Sequence, residues 1–261
     1  MNELEGKVAL VTGAGAGIGK AIALRLAEEG ATVGALDLQA ERSHATAAAI
    51  TEAGGQAVAL TADVAEPAQM REAIDRLGER LGHLDLVAAN AGINGVWAPI
   101  DDLEPEEWDR TVAVNLRGTF LTFRYAVPWL KRQGGAGVVT ASVHGTRIWS
   151  GPGSTAYACT KAAQQTFARK IAVELGEHRI RVNSICPGWV DTQIQESTFP
   201  RNLDQIHLPV RFDRPAIPLT GGRPHQPREV AELALFLLSP RASAISGSEV
   251  WIDGATSLVI G

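Results

Sequence analysis

Short apolar runs alternate with amphipathic stretches along most of the chain. The apolar runs are rich in valine, alanine and leucine, and they cover Val8–Val11, Thr32–Leu36, Ala57–Thr61, Leu84–Ala89, Gly137–Ala141, Ile180–Ile185 and Glu249–Ile252. The stretches of helical period cover Gly17–Glu29, Ala40–Ala53, Pro67–Leu81, Pro105–Leu130, Thr155–Gly176 and Pro227–Leu238. Continuous apolar strands separated by helices are typical of a parallel sheet that is covered on both faces. The pattern predicts an α/β fold, a single doubly wound, Rossmann-type domain over residues 1–261 with a parallel seven-stranded sheet and helices on both faces.

One segment departs from this alternation. Residues Thr192–Gln226 are rich in proline, arginine and polar side chains. An irregular insertion of this length in a compact domain is more often a lid or a binding loop than a linker. Ligands of doubly wound sheets bind beyond the carboxyl ends of the strands, and this segment follows such an end. We therefore predict that residues 192–226 form a substrate lid, and an ordinary surface loop is the alternative.

Composition narrows the class of protein. The chain has 261 residues and a formal net charge of −5. It has no basic tract, so neither nucleic acid nor an anionic membrane is an expected partner, and no apolar run is long enough to span a bilayer. The short acidic segment Met1–Lys7 does not match a signal peptide. Cys159 and Cys186 indicate neither a disulfide framework nor a metal site, which favours a cytoplasmic setting.

A glycine-rich turn connects the first predicted strand to the first helix. The sequence Thr12-Gly13-Ala14-Gly15-Ala16-Gly17-Ile18-Gly19 lets the backbone turn tightly and approach a pyrophosphate. The start of the following helix offers free N–H groups and the positive end of the helix dipole. The turn therefore predicts a dinucleotide site.

An acid at the end of the second strand predicts the form of the dinucleotide. Asp37 can accept hydrogen bonds from ribose hydroxyls, and its charge repels a 2′-phosphate. Neither Ala16 nor Leu38 is basic, so nothing adjacent compensates for such a phosphate. We interpret Lys20 and Arg42 as ordinary charges on a helix surface. The expected cofactor is NAD(H) rather than NADP(H).

A tyrosine and a lysine lie four residues apart in a predicted helix. This spacing places Tyr157 and Lys161 on one helical face, one turn apart. Free tyrosine has a pKa of about 10, and a neighbouring cation is expected to lower the pKa of Tyr157. The pair is a candidate general acid and base. The spacing alone is a weak signal, because most such pairs are solvated surface residues.

Together these motifs make the chain resemble the classical short-chain dehydrogenase/reductases over nearly its whole length, from about Lys7 to Asp253. The resemblance implies transfer of a hydride between a secondary alcohol or ketone and a nicotinamide dinucleotide. The implied cofactor contacts are Gly13, Gly15, Ala16, Gly17, Ile18, Gly19, Asp37, Leu38, Asp63, Val64, Asn90, Ala91, Gly92, Tyr157, Lys161, Pro187, Gly188, Val190 and Thr192.

The resemblance also implies a catalytic group of four residues. Tyr157 is the implied acid and base, and Lys161 lowers its pKa and binds the nicotinamide ribose. Ser142 donates to the substrate oxygen, and Asn115 holds a water in a proton relay. Ser142 lies fifteen residues before Tyr157, where the family more often has about thirteen, so we expect an insertion after Gly145.

Polar and indole side chains are predicted to line the substrate cleft. The predicted contacts are Asn94, Trp97, Ser142, His144, Trp149, Tyr157, Trp189 and Gln193, with Arg147 beside them. Hydrogen-bonding groups mixed with indole faces suit a polyhydroxylated or cyclic substrate. The loop after Ser142 also resembles that of the aldose dehydrogenases of the family. The expected enzyme acts on a sugar, a polyol or a cyclic alcohol.

Two other functions stay open at this point. A 3-oxoacyl-thioester reductase of the same family is expected to prefer NADPH and to present a basic patch to an acidic carrier protein. A catalytically silent dinucleotide sensor is expected to have lost part of the group of four. The helix Thr155–Gly176 carries apolar residues beyond one stripe, and the family commonly assembles through it, so we predict a homotetramer.

Overall fold

The computed structural model describes residues 2–149, 151–208 and 217–259. Its strands are β1 (Val8–Thr12), β2 (Thr32–Asp37), β3 (Gln56–Thr61), β4 (Leu86–Ala89), β5 (Gly95–Trp97), β6 (Gly135–Thr140), β7 (Ile180–Pro187), β8 (Thr198–Pro200) and β9 (Glu249–Ile252). Seven of them form one parallel sheet in the order β3-β2-β1-β4-β6-β7-β9, and β5 pairs with β8 in a separate two-stranded sheet. Each predicted apolar run supplies one strand of the large sheet, which confirms the predicted fold class.

The helices are α1 (Gly17–Glu28), α2 (Ala40–Glu52), α3 (Pro67–Leu81), α4 (Pro105–Val112), α5 (Gly118–Leu130), α6 (Thr155–Leu175) and α7 (Pro227–Leu238). Both α4 and α7 begin with a proline and a reciprocal capping box. The predicted single helix Pro105–Leu130 is interrupted by a π-helical turn, Ala113–Arg117. None of the helices within the described ranges is long and apolar enough to cross a membrane.

Two hydrophobic layers cover the two faces of the large sheet. Neighbouring residues of β1 show the alternation, because Leu10 belongs to one layer while Ala9 and Val11 belong to the other. The first layer packs against α3, α5 and α6, and the second against α1 and α7. Burial on both faces explains why the strands are continuously apolar.

The strand order reverses between β1 and β4, which are neighbours in the sheet. The connections after these two strands leave in opposite directions and open a crevice at their carboxyl ends. The glycine-rich turn after β1 lies at this crevice, so topology places the predicted dinucleotide site at the switch point.

The first part of the predicted lid is fastened to the body of the domain. After β7 the chain forms a short 3₁₀ turn, Gln193–Ser197, and then β8, which pairs with β5. The Arg201 guanidinium reaches the carboxylates of Glu107 at 2.7 Å and Asp102 at 3.2 Å. Residues 209–216 of the predicted lid lie outside the described residues. Whether residues 192–226 act as a lid therefore stays a prediction.

Candidate active site

A cavity of about 700 Å³ lies beyond the carboxyl ends of the strands at the switch point. The structure brings most of the predicted cofactor residues together on its wall. Those that line it are Gly13, Ala16, Gly17, Ile18, Asp37, Leu38, Asp63, Val64, Asn90, Ala91, Gly92, Tyr157, Lys161, Pro187, Gly188, Val190 and Thr192. Gly15 and Gly19 do not line the cavity, and they act instead through the close packing of the turn.

The glycine-rich turn is shaped to receive an anion. Gly13 has a φ of +64°, which favours glycine, and a Cβ on Gly19 would lie 2.1 Å from the Gly13 carbonyl oxygen. The turn places Ala16 at the N-cap of α1, where no side chain caps the helix and no acid lies in the first turn. The first N–H groups of α1 therefore remain available to a pyrophosphate. This end of the cavity fits a dinucleotide.

Asp37 is held in place by the backbone at the edge of the cavity. Its carboxylate accepts hydrogen bonds from the amides of Gly15 at 2.9 Å and Gln39 at 3.0 Å. A Cβ on Gly15 would lie 2.7 Å from the Asp37 Oδ2 atom. Gly15 is thus required for the approach of the carboxylate to the turn.

Arg42 lines the cavity next to Asp37, so its interpretation as an ordinary helix-surface charge is wrong. Its guanidinium pairs with Glu196 in the turn Gln193–Ser197 at 3.2 Å. The pair bridges α2 and the segment after β7. Lys20 does not line the cavity.

Thr12, which was not among the predicted contacts, fixes the turn after β4. Its buried hydroxyl accepts hydrogen bonds from the amides of Asn90 at 3.0 Å and Ala91 at 3.1 Å. The Asn90 side chain donates back to the Thr12 carbonyl at 3.2 Å. The sequence signal was available, since Thr12 opens the glycine-rich turn on the strand adjacent to β4.

Ser142, Tyr157 and Lys161 meet on the cavity wall, and all three are buried. Burial raises the pKa of the Tyr157 phenol, and a hydrogen bond with Ser142 acts in the opposite direction. The pKa of Tyr157 is thus raised in the protein alone, and a lowering of this pKa by Lys161 stays a prediction. Burial also lowers the pKa of Lys161 to about 8. The Lys161 ammonium donates to the Thr140 carbonyl at 2.8 Å and lies 5.5 Å from the centre of the Tyr157 ring.

Asn115 lies behind the cavity wall rather than on it, and its exposed fraction is 0%. Its Oδ1 atom accepts from the Ile93 amide at 2.8 Å, and its Nδ2 atom donates to the Ile93 carbonyl at 2.9 Å. The Nδ2 atom also donates to the Thr160 hydroxyl at 3.0 Å. The Asn115 side chain thus joins the chain after β4 to the first turns of α6.

The loop after Ser142 turns only part of its predicted side chains into the cavity. His144 lines the cavity, whereas Trp149 does not and is 64% exposed. Arg147 also points elsewhere, with its guanidinium 3.7 Å from the centre of the Trp251 ring. Neither side chain lines the cavity in this structure, so a substrate contact of Trp149 stays a prediction. A bridge between His144 and Ile148 sets the path of the loop and turns Ile148, which the sequence did not single out, into the cavity.

The remaining predicted substrate residues also line the cavity. They are Asn94, Trp97, Trp189 and Gln193. The imidazole of His144 packs edge-on against the Tyr157 ring at 5.8 Å, and burial lowers the pKa of His144. The buried Trp97 Nε1 atom has no hydrogen-bond partner among the described residues. Near the phenol, the cavity thus presents a buried N–H without a partner in the described part of the chain, and an imidazole whose pKa is lowered by burial.

Positive charge on the cavity wall lies mostly at the dinucleotide end. Among the residues that the structure describes, the cations lining the cavity are Arg42, Arg110 and Lys161. Arg42 lies beside Asp37, and Arg110 faces Asp63 at 3.7 Å. Within that part of the chain, the only cation near the phenol is thus Lys161.

Comparison with known proteins gives consistent matches over nearly the full length. The family model described as enoyl-(acyl carrier protein) reductase matches residues 13–256. A cyclohexanol dehydrogenase from Acinetobacter sp. (strain SE19) is 35% identical over 255 residues, which are 97% of this chain and 96% of that protein.

Solved structures extend this similarity to the fold. A 3-ketoacyl-ACP reductase from Sinorhizobium meliloti 1021 has a TM-score of 0.91 and 52% identity, over 97% of this chain and 99% of that chain. A short chain dehydrogenase from Burkholderia cenocepacia J2315, solved in complex with NADP, has a TM-score of 0.85 and 35% identity, over 97% of this chain and 99% of that chain.

Proposed function

We propose that this chain, which belongs to the classical short-chain dehydrogenase/reductase family, is an NAD(H)-dependent dehydrogenase of an uncharged sugar, polyol or cyclic alcohol. Members of this family are oxidoreductases that act on alcohol and ketone groups. The observation that carries this proposal is the substrate end of the cavity. It presents indole faces, an imidazole whose pKa burial lowers, and a buried Trp97 N–H that has no hydrogen-bond partner among the described residues.

The proposed cofactor is NAD(H) because of the charge at the end of β2. The two backbone amides that hold the Asp37 carboxylate keep it at the cavity edge, where it suits ribose hydroxyls and repels a 2′-phosphate. Arg42 is the nearby cation that a 2′-phosphate would need, and Glu196 already pairs with it. The relative from Burkholderia was solved with NADP, so family membership alone does not select the cofactor.

In the proposed reaction, Tyr157 removes the hydroxyl proton of the alcohol, or donates it to the ketone oxygen in the reverse direction. The Ser142 oxygen accepts the His144 amide N–H at 3.2 Å. The Ser142 hydroxyl, which hydrogen-bonds with Tyr157 in the protein alone, would donate to the substrate oxygen when substrate binds. When bound, the nicotinamide accepts or donates the hydride, and its oxidised form adds a positive charge that favours the phenolate. Lys161 would hold the nicotinamide ribose.

The side chains around Tyr157 would select the substrate. The Trp97 N–H would donate to a second oxygen of the substrate, which removes the cost of a buried donor without a partner. Trp189 would cover an apolar ring face. An uncharged cyclic compound with more than one oxygen would satisfy both groups.

A 3-oxoacyl-thioester reductase is the second candidate. It is favoured by the 52% identity to the 3-ketoacyl-ACP reductase from Sinorhizobium meliloti 1021. The Asp37 carboxylate argues against a preference for NADPH. A catalytically silent sensor is less consistent with a cavity in which Ser142, Tyr157 and Lys161 meet.

The test is oxidation of a panel of sugars, polyols and cyclic alcohols with NAD⁺ and NADP⁺, followed by the absorbance of the reduced nicotinamide. The Tyr157→Phe protein is assayed alongside, and we expect it to lose about 10²- to 10⁴-fold in kcat. Turnover of acyl thioesters with NADPH alone would establish the second candidate. Binding of NAD⁺ without turnover of any substrate would favour the sensor.

We also propose a homotetramer in a cytoplasmic setting. Phe120 on α5 and Val173 on α6 are exposed, although both are large apolar side chains. Cys159 and Cys186 are both free, as a reducing compartment requires. Light scattering after gel filtration would measure the mass, and a monomer would contradict the proposed assembly.

A further inference from the structure

A glutamine with an exposed fraction of 0% lies on α6, one turn after Lys161. The Nε2 atom of Gln164 donates to the Asn115 carbonyl at 2.8 Å and to the Thr119 hydroxyl at 2.7 Å. The Thr119 hydroxyl donates in turn to the same Asn115 carbonyl at 2.8 Å. Two side chains thus converge on one backbone oxygen in a buried polar cluster.

The backbone explains why this oxygen needs side-chain partners. Asn115 lies in the π-helical turn Ala113–Arg117, where the Gly118 amide donates to the Ala113 carbonyl five residues earlier. Such a turn widens the hydrogen-bonded ring and disturbs the ordinary pairing of the helix. A buried carbonyl must still be satisfied, and Gln164 and Thr119 satisfy this one.

The orientation of Asn115 controls two parts of the active site. Its side-chain amide pairs with both the N–H and the carbonyl of Ile93, which lines the cavity. It also donates to the Thr160 hydroxyl, which donates to the Tyr157 carbonyl at 2.7 Å. A continuous set of hydrogen bonds therefore runs from Gln164 through Asn115 to the cavity wall and to the helical turn that carries the phenol.

We propose that Gln164 is a positioning residue: by holding the Asn115 carbonyl, it keeps Ile93 and the first turns of α6 in the geometry that Tyr157 and Lys161 require. The proposal rests on the proposed function of those two residues. Both hydrogen bonds of the Gln164 side chain come from its Nε2 atom. The Oε1 atom has no partner among the described residues, so the two N–H donors are what this position uses. No apolar side chain supplies these donors.

The first test is Gln164→Met, which keeps the length of the side chain and removes both donors. In oxidation of the substrate that the panel identifies, we expect kcat to fall by roughly tenfold while KM for NAD⁺ stays within about twofold, because misplacement affects the reacting geometry more than cofactor binding. The matched control is Thr122→Val on α5, which removes another buried side-chain hydrogen bond, to Gly118 at 2.8 Å, but does not touch Asn115. We expect its kcat to stay within about twofold of the wild-type value.

A second variant separates positioning from packing. In Gln164→Glu the neutral carboxyl donates one hydrogen bond, whereas the ionised carboxylate places negative charge against the Asn115 carbonyl. Burial raises the pKa of such a carboxyl. We therefore expect the ratio of variant to wild-type kcat to fall as pH rises, and the Gln164→Met ratio to stay flat. Lys161 titrates in all three proteins, so the ratio isolates the glutamate.

Amide hydrogen exchange in the cofactor-free protein gives a readout that does not depend on activity. The Ile93 N–H donates to Asn115, so we expect its exchange to accelerate in Gln164→Met and to stay unchanged in Thr122→Val. Unchanged exchange at Ile93 together with a kcat within about twofold of wild type would overturn the role of Gln164. Full activity of Tyr157→Phe would overturn the proposed function instead, and the exchange result would still decide the role of Gln164 in the fold.

Discussion

The two ends of the cavity are built in different ways. At the dinucleotide end, backbone atoms form the surface: the uncapped start of α1, the turn after β1, and amides that hold the Asp37 carboxylate. At the substrate end, side chains form the surface, among them Trp97 from β5 and, from the segments after β6 and β7, His144 and Trp189. The shape of a surface made of backbone atoms is set by the residues that directly follow the strands, and the strands fix where those residues lie. A side-chain surface depends on the path of each loop, so it can change without disturbing the fold.

Among the substitutions that compare the two ends of the cavity, the largest effect is expected at the dinucleotide end. Asp37→Asn keeps the size of the side chain and removes its charge, so the repulsion of a 2′-phosphate is lost. We expect kcat/KM for NADP⁺ relative to NAD⁺ to rise by about tenfold to hundredfold, or roughly 1.4 to 2.7 kcal/mol. Steady-state kinetics with both cofactors measures this ratio. An unchanged ratio would mean that Asp37 does not determine the choice of cofactor.

One pair of substitutions sharpens the contrast at the substrate end. Trp97→Phe removes the indole N–H inside the cavity, and Trp149→Phe makes the same change on a side chain that lies outside it. For Trp97→Phe we expect KM of the alcohol to rise by about tenfold, equal to the loss of one hydrogen bond of about 1.4 kcal/mol.

Trp149→Phe serves as the control for that experiment, and KM for NAD⁺ should remain unchanged in both proteins. A larger effect of Trp149→Phe than of Trp97→Phe would contradict the path assigned to the loop after Ser142.

Lys161 lies where the two ends meet, and its titration is measurable in the cofactor-free protein. Burial lowers its pKa from 10.5 to about 8. When the pH lies between these two pKa values, the Lys161 side chain binds more protons in the unfolded chain than in the folded chain. The contribution of Lys161 to the free energy of unfolding therefore rises with pH, by at most about 1.4 kcal/mol per pH unit. Denaturation of wild type and Lys161→Met from pH 8 to pH 10 should show their difference moving in favour of wild type. A difference that is independent of pH would contradict the shift.

The smallest expected effect concerns the ion pair that bridges the two ends. Glu196→Gln leaves Arg42 without its partner at the cavity edge. Because exposed ion pairs contribute less than about 1 kcal/mol, we expect use of NADP⁺ to improve only by about threefold, and less at high salt. The same kinetic ratio as for Asp37→Asn measures it. A decrease in NADP⁺ use would show that Glu196 does not compete for Arg42.

Repeating local sequence patterns were sufficient to predict the fold and most of the residues at the dinucleotide end of the cavity. Each predicted apolar run became a strand. The central strands β1, β4, β6 and β7 are apolar almost throughout because they are buried on both faces. The family resemblance is confirmed by the full-length matches. The positions of the glycines and of Asp37 were readable because the end of a strand fixes where the following residues lie. Their functional roles stay predictions.

The tertiary structure alone decided the electrostatics of Tyr157, the directions of Trp149 and Arg147, and the partners of Gln164. A pKa depends on burial from every side, and here burial raises the pKa of Tyr157, which the spacing of Tyr157 and Lys161 does not indicate. Loop side chains follow bridges such as that between His144 and Ile148, which no periodicity predicts. Gln164 and Asn115 are far apart in sequence, so their hydrogen bond exists only after α6 packs against the π-helical turn Ala113–Arg117. Sequence determined which residues lie at strand ends, and packing determined which of them touch.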